Sequence, residues 1–196
     1  LAEARARAVR VIAGAWRGKR LVAPAGENTR PTADRARQTV FDVLWHARWA
    51  GRGAIEGTRV LDAFAGSGAM GIEALSRGAA EAIFLETDTA ALAAIRANLR
   101  ACRAEARGRV LRADATAPPP APAPCGLVFL DPPYGSGLVP RALAALAAAG
   151  WVAPAALIVA ETEIDARMPE IPGFLPVDRR AVGRAAMTVL RRAGET

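Results

Sequence analysis

The chain has 196 residues, enough for one substantial hydrophobic core and hardly a second. Apolar residues make up 52% of it, but much of that is alanine, which buries little surface, so the fraction does not signal a membrane protein. The formal net charge of +7 is unevenly spread: residues 1–60 hold 12 Lys plus Arg against 5 Asp plus Glu, whereas residues 61–196 hold 14 of each. Of the 26 basic residues 25 are arginine, and a codon bias alone would not gather the excess at one end. A polyanion-binding face in the first third is the expectation.

In chain order, Arg5, Arg7 and Arg10 precede only a short apolar run, which does not read as a secretory leader, so a cytoplasmic location is expected. Residues 9–13 and 20–23 flank Trp16-Arg17-Gly18, which predicts a small basic hairpin with an exposed tryptophan near its tip, an attachment outside the core. After Thr29-Arg30-Pro31-Thr32 a helix is expected to run to about Trp49, with Thr32 as its N-cap. Val40, Phe41, Leu44 and Trp45 form its apolar stripe, and Arg35 and Arg37 lie on the other face. We therefore divide the chain into a basic appendage, residues 1–52, expected to bind a polyanion, packed on a main domain of residues 53–196.

From residue 58 strand and helix alternate. Strands are expected at 59–64, 82–86, 109–113, 127–130 and 156–161, and helices at 69–77, 89–106 and 139–149. This pattern calls for an α/β fold with a parallel sheet covered on both faces. The uncharged run 142–160 has membrane-spanning length, yet Gly150 and Pro154 interrupt it, so a helix followed by a buried strand fits better. Pro118, Pro119, Pro120, Pro122 and Pro124 form a linker read as a surface loop without chemistry. Segments 177–182 and 186–191, joined across Gly183, read as an antiparallel hairpin closing the sheet.

Cys102, in a predicted helix, and Cys125, just before a predicted strand, lack metal-ligand spacing, so reduced structural thiols and no metal are expected. His46 has no partner motif and is given no role.

The first chemical motif is Asp62-Ala63-Phe64-Ala65-Gly66-Ser67-Gly68-Ala69-Met70-Gly71, after a strand and opening a helix. Its glycines allow a tight turn against a ligand at a helix start rich in unpaired N–H groups. Gly66-x-Gly68-x-x-Gly71 alone satisfies the dinucleotide fingerprint, with Glu86 placed as a ribose-binding acid, so a nicotinamide or flavin enzyme competes at this point. Asp62 favours a cationic ligand, S-adenosylmethionine, over a pyrophosphate.

The second motif is Leu127-Val128-Phe129-Leu130-Asp131-Pro132-Pro133-Tyr134, an apolar strand ending in an acid, two prolines and an aromatic ring. Two prolines fix the turn and remove N–H donors, leaving the Asp131 carboxylate and the Pro132 carbonyl to accept from an amino group. Tyr134 can stack on a flat base beside them. The exocyclic amine of a base is a poor nucleophile, because its lone pair is delocalised into the ring. Two acceptors on its hydrogens favour a pyramidal nitrogen whose lone pair points at a methyl carbon.

Asp-Pro-Pro-Tyr resembles the signature of amino-group methyltransferases acting on nucleic-acid bases. Arg10-Val11-Ile12-Ala13-Gly14 with Trp16-Arg17-Gly18, then Thr29-Arg30-Pro31-Thr32 and Asp34-Arg35 with Phe41 and Leu44, are similar to the bacterial 16S ribosomal RNA guanine-N2 methyltransferase family of RsmD type. Gln38 and the proline linker depart from the family pattern. The resemblance implies a Rossmann-like methyltransferase fold with a seven-stranded, mostly parallel sheet and a reversed last strand. It implies S-adenosylmethionine as cofactor, held by Asp62, Phe64, Gly66, Ser67, Gly68, Glu86, Thr87, Asp114, Ala115 and Asp131. Asp131, Pro132, Pro133 and Tyr134 would present the guanine amine. RNA contacts are expected from Arg10, Trp16, Arg17, Lys19, Arg20, Arg30, Thr32, Arg35 and Arg37, with 16S ribosomal RNA in a small-subunit particle as partner and a monomer as the working form. A DNA adenine methyltransferase, a protein glutamine methyltransferase and an inactive RNA-binding assembly factor remain alternatives, although the glutamine enzymes carry Asn where Asp131 stands.

Overall fold

A computed structural model describes residues 9–24, 31–133 and 137–193, with no side chain given for 31–33. Tyr134 and Arg30 lie outside the described residues, and of Thr32 only the backbone is described. A seven-stranded sheet organises the molecule. Its strands are β3 (Arg59–Asp62), β4 (Glu81–Glu86), β5 (Gly108–Arg112), β6 (Cys125–Leu130), β7 (Val152–Glu163), β8 (Phe174–Val182) and β9 (Ala185–Arg192), in the order β5-β4-β3-β6-β7-β9-β8. β3 to β7 pair in parallel, and β9 is antiparallel to both neighbours, so β9 alone is reversed.

The central strands are apolar without alternation because both faces are covered. Val60, Leu127 and Phe129 point into one buried cluster, Leu61, Val128 and Leu130 into the other. Helices α2 (Ala69–Ser76), α3 (Thr89–Cys102) and α4 (Leu138–Ala148) connect the strands. No helix among the described residues is long and apolar enough to cross a membrane.

The uncharged run divides into α4 and β7 as expected. Pro154 falls inside β7, where Ala155 takes φ 57° and the register against β6 shifts between Cys125 and Leu127, the irregularity that lets a proline sit in a strand. α3 stops at Cys102, short of the expected 106, because Arg103 caps it in the left-handed region at φ 54°. Cys125 opens β6 instead of preceding it, and burial pushes its thiol up to about 11. The proline linker is a fastened loop, since the Trp151 indole donates to the Pro119 carbonyl at 2.7 Å and the Ala121 amide donates to the Ala149 carbonyl at 2.8 Å.

The front segment is corrected most. β1 (Val9–Arg10) pairs antiparallel with β2 (Arg20–Leu21), shorter than expected, around a 3-10 turn at Gly14–Trp16. It is no loose attachment: Val11 and Leu21 are buried in the cluster that holds Val60 and Phe129. Trp16 is half-buried, not exposed, with the Arg107 guanidinium 5.3 Å from its ring centre. α1 (Pro31–His46) starts at Pro31 and ends before the expected Trp49, so Thr32 lies in the first turn and is not the N-cap. Phe41 packs on Phe129 with ring centres 5.6 Å apart, fixing α1 to the sheet.

Candidate active-site cleft

Parallel strands place their carboxyl ends on one edge, and in such sheets ligands bind outside that edge. A cleft of about 630 Å³ opens there, lined from the β3 loop by Ala63, Phe64 and Gly66, from β4 by Leu85, Glu86 and Thr87, and after β5 by Ala113 to Thr116. Asp131, Pro132 and Pro133 after β6, Leu138 of α4 and Glu161 of β7 complete it. The volume falls within the range of about 300–1,000 Å³ usual for small-molecule sites.

The loop after β3 is held from below and from the side. Gly66 and Gly68 take φ 50° and 77°, and the Gly68 amide donates to the Ala65 carbonyl. A Cβ on Gly71 would stand 2.4 Å from the Phe84 ring, so the third glycine lets α2 approach β4. Glu86 ties the loop across: Oε2 accepts from the Gly66 amide at 2.9 Å, while Oε1 accepts from the amides of Thr87 at 2.7 Å and Asp88 at 2.9 Å. With two amides on Oε1 and one on Oε2, it is Oε2 that retains acceptor capacity for a hydroxyl.

Asp62, Ser67 and Gly68, expected to touch a ligand, do not line the cleft. Asp62 is buried, and its Oδ2 accepts from the Gly71 amide at 3.0 Å, so the carboxylate braces the helix start beneath the loop. Ser67 is also buried, and its carbonyl accepts from the Asn98 side chain at 2.9 Å.

Past β5, Asp114 Oδ1 accepts from the Thr116 amide at 2.7 Å and its hydroxyl at 2.9 Å, an Asx turn. The amide bond first and the hydroxyl bond second hold the Asp114 carboxyl below the usual carboxylate range. Glu161 and Thr116 carry no expectation from sequence, although an acid at the end of a fifth parallel strand is a signal of the same kind as Glu86. Four carboxylates thus line the cleft, and among the described residues no Lys or Arg does.

The expected RNA residues divide. Arg10, Arg17, Lys19, Arg20 and Arg35 are exposed. Arg37 is the contrary case: at 6% exposure it faces inward, donating to the Arg10 carbonyl at 2.6 Å and to Asp34 at 2.7 Å. It fastens α1 to the hairpin, because burial leaves the guanidinium no access to a phosphate. Glu73 does the same from α2, fully buried and accepting from the amides of Ile12 at 2.7 Å and Ala13 at 3.0 Å and from Arg77 Nε at 2.7 Å. Ser76 and Asn98 add bonds to Ala13, Trp16 and Val22. Gly14 is required here, since a Cβ would meet the Ser76 carbonyl oxygen at 1.9 Å.

The family model described as "Conserved hypothetical protein 95" matches residues 9–191. Ribosomal RNA small subunit methyltransferase D of Escherichia coli K12 is 36% identical over 189 residues, 95% of this chain and 91% of that protein. The protein of the same name from Haemophilus influenzae is 38% identical over 161 residues, 80% of each. A solved E. coli chain superposes with TM-score 0.81 at 36% identity, covering 95% of this chain and 99% of its own length. The fold is accordingly the Rossmann-like methyltransferase fold. With the model spanning both the hairpin and the sheet, the chain belongs to the ribosomal RNA small subunit methyltransferase D family.

Proposed function

We propose that this protein transfers a methyl group from S-adenosylmethionine to the exocyclic N2 amine of a guanine in 16S ribosomal RNA, within a small-subunit particle. The observation that carries the reading is the meeting of Asp131-Pro132-Pro133 with Glu86 and Asp114 in a single cleft. The residues present fit the cofactor. Glu86, at the carboxyl end of β4, offers Oε2 to a ribose hydroxyl. The apolar side chains of Leu85, Ala113, Ala115 and Leu138 suit an adenine ring, and four carboxylates, with no Lys or Arg among the described lining residues, suit a ligand of net positive charge. Asp62 would act from beneath the loop, by setting its shape and by its charge.

When bound, the donor supplies an electrophilic methyl group on a sulfonium. The protein's part is orientation. Asp131 follows β6 and is exposed at the cleft, so its carboxylate can accept from one N2 hydrogen while the Pro132 carbonyl accepts from the other. Both acceptors favour the pyramidal amine, and the charge on Asp131 favours the positive nitrogen that develops. Tyr134 is proposed to stack on the base. Arg17, Lys19, Arg20 and Arg35 are proposed to hold the RNA backbone, with Arg30 and Thr32 between RNA and cleft; Arg37 is left out because it is buried.

Methyl transfer from labelled donor to naked 16S RNA, small-subunit particles and DNA tests the proposal. Label on the guanine N2 of the particle's RNA is the expected result. Transfer to DNA adenine, or donor bound with no transfer to any of the three, would overturn it.

A further inference from the structure

The balance of charge over residues 61–196 hides a local excess. Between Arg96 and Arg112 six arginines stand against a single acid, Glu105. On α3 the exposed Arg96 and Arg100 stand four residues apart in one stripe, and the exposed Arg103 follows as the helix's left-handed cap. At the helical rise they span about 10 Å. The helix dipole accounts for arginines near the C-terminus, and protection of an edge strand accounts for Arg109 on β5. Neither accounts for Arg96 in mid-helix. Arg96, Arg100, Arg103 and Arg109 are exposed and enter none of the ion pairs found among the described residues.

The helix that carries this stripe also holds the basic hairpin, from its opposite, buried face. Asn98, between Arg96 and Arg100, clamps Val22 by accepting from its amide at 2.7 Å and donating to its carbonyl at 2.8 Å. Arg107, just after α3, covers the Trp16 ring. Lys19 lies near enough to Cys102, the last residue of α3, to act on its thiol, though burial outweighs it and raises the thiol overall.

We propose that the outer face of α3, with Arg109 of β5, continues the hairpin's basic surface into one track for the phosphate backbone of the RNA substrate. The proposal rests on the reading of the protein as an RNA methyltransferase. Each phosphate neutralised on single-stranded RNA contributes about 0.7 to the slope of log affinity against log salt, and a duplex contact about 0.9. The test is fluorescence titration of the full chain with transcribed 16S ribosomal RNA at several salt concentrations. The variants are Arg96→Ala/Arg100→Ala/Arg103→Ala and its lysine counterpart, with donor binding as the check on folding. The expected result is a slope lower by about 2 in the alanine variant. Lysines should restore it, and donor affinity should be unchanged. An unchanged slope in the alanine variant, or a loss that lysines do not restore, overturns the track while leaving the proposed activity standing. Wild-type protein that shows no salt-dependent RNA binding and no methyl transfer overturns both.

Discussion

The cleft and the hairpin face are opposites in charge and in construction. The cleft is acidic and built on strand ends, where Glu86, Asp114, Asp131 and Glu161 come from separate elements that the sheet itself aligns. The hairpin face is basic and owes its place to buried polar bonds, above all those of Glu73, Ser76 and Asn98. The contrast suits a cationic small ligand on one side and a polyanion on the other, and it keeps the two from competing for one surface. It also means that the two regions should fail differently. Cleft substitutions should change chemistry and spare the fold, whereas removal of a buried anchor should loosen the hairpin first.

The largest effect is expected at an anchor. Glu73→Ala leaves Arg77 buried without its partner and the Ile12 and Ala13 amides without an acceptor, which should cost about 3–5 kcal/mol of stability in urea unfolding. A loss under about 1 kcal/mol would mean that Val11 and Leu21 hold the hairpin by apolar contact alone. In the cleft, Asp131→Asn keeps an acceptor oxygen of the same shape and loses the charge. Single-turnover methyl transfer should fall roughly 10–1,000-fold, about 1.4–4 kcal/mol, with the unfolding midpoint unmoved. Wild-type rates would remove Asp131 from the chemistry. Glu86→Ala should weaken donor binding by about 1.5–3 kcal/mol through lost charge-assisted bonds. Calorimetry with an unchanged donor affinity would assign Glu86 to bracing the Gly66 loop only.

The same contrast explains what could be read from the chain beforehand. The succession of strands and helices from residue 59, the glycine loop and the Asp131 corner are local patterns, because each strand and its end turn are written within a few residues. The hairpin's attachment is not local: Glu73 reaches Ile12 over 61 positions and Asn98 reaches Val22 over 76. Nothing near Trp16 marks it as lying under Arg107, and nothing near Arg37 marks it as turned inward to the Arg10 carbonyl. Asp62 was legible as a carboxylate just before the glycine loop, but its burial beneath Gly71 depends on how α2 packs on β4. Glu161 escaped for a different reason, since its strand was expected and only the acid at its end was passed over.

The smallest predicted effect is the sharpest measure of how separate the two regions are. Arg17→Ala/Lys19→Ala/Arg20→Ala removes three exposed positive charges, and RNA affinity should fall with its salt slope lower by about 2. Donor affinity should respond weakly and in the opposite sense. α3, from Thr89 beside the cleft to Cys102, is about 20 Å long, which we take as the scale of separation between the three charges and a ligand in the cleft. At that distance three charges in water act on a ligand of net charge +1 with about 0.6 kcal/mol before screening. At physiological salt the Debye length of about 8 Å removes nearly all of this, whereas at about 0.01 M it grows to about 30 Å and roughly half survives. Removing the repulsion should therefore tighten donor binding by less than about twofold at low salt and leave it unchanged at physiological salt. Calorimetry at both salts reads the difference. Weaker donor binding in the triple variant would show that the hairpin shapes the cleft through packing, and that the two regions are one mechanical unit.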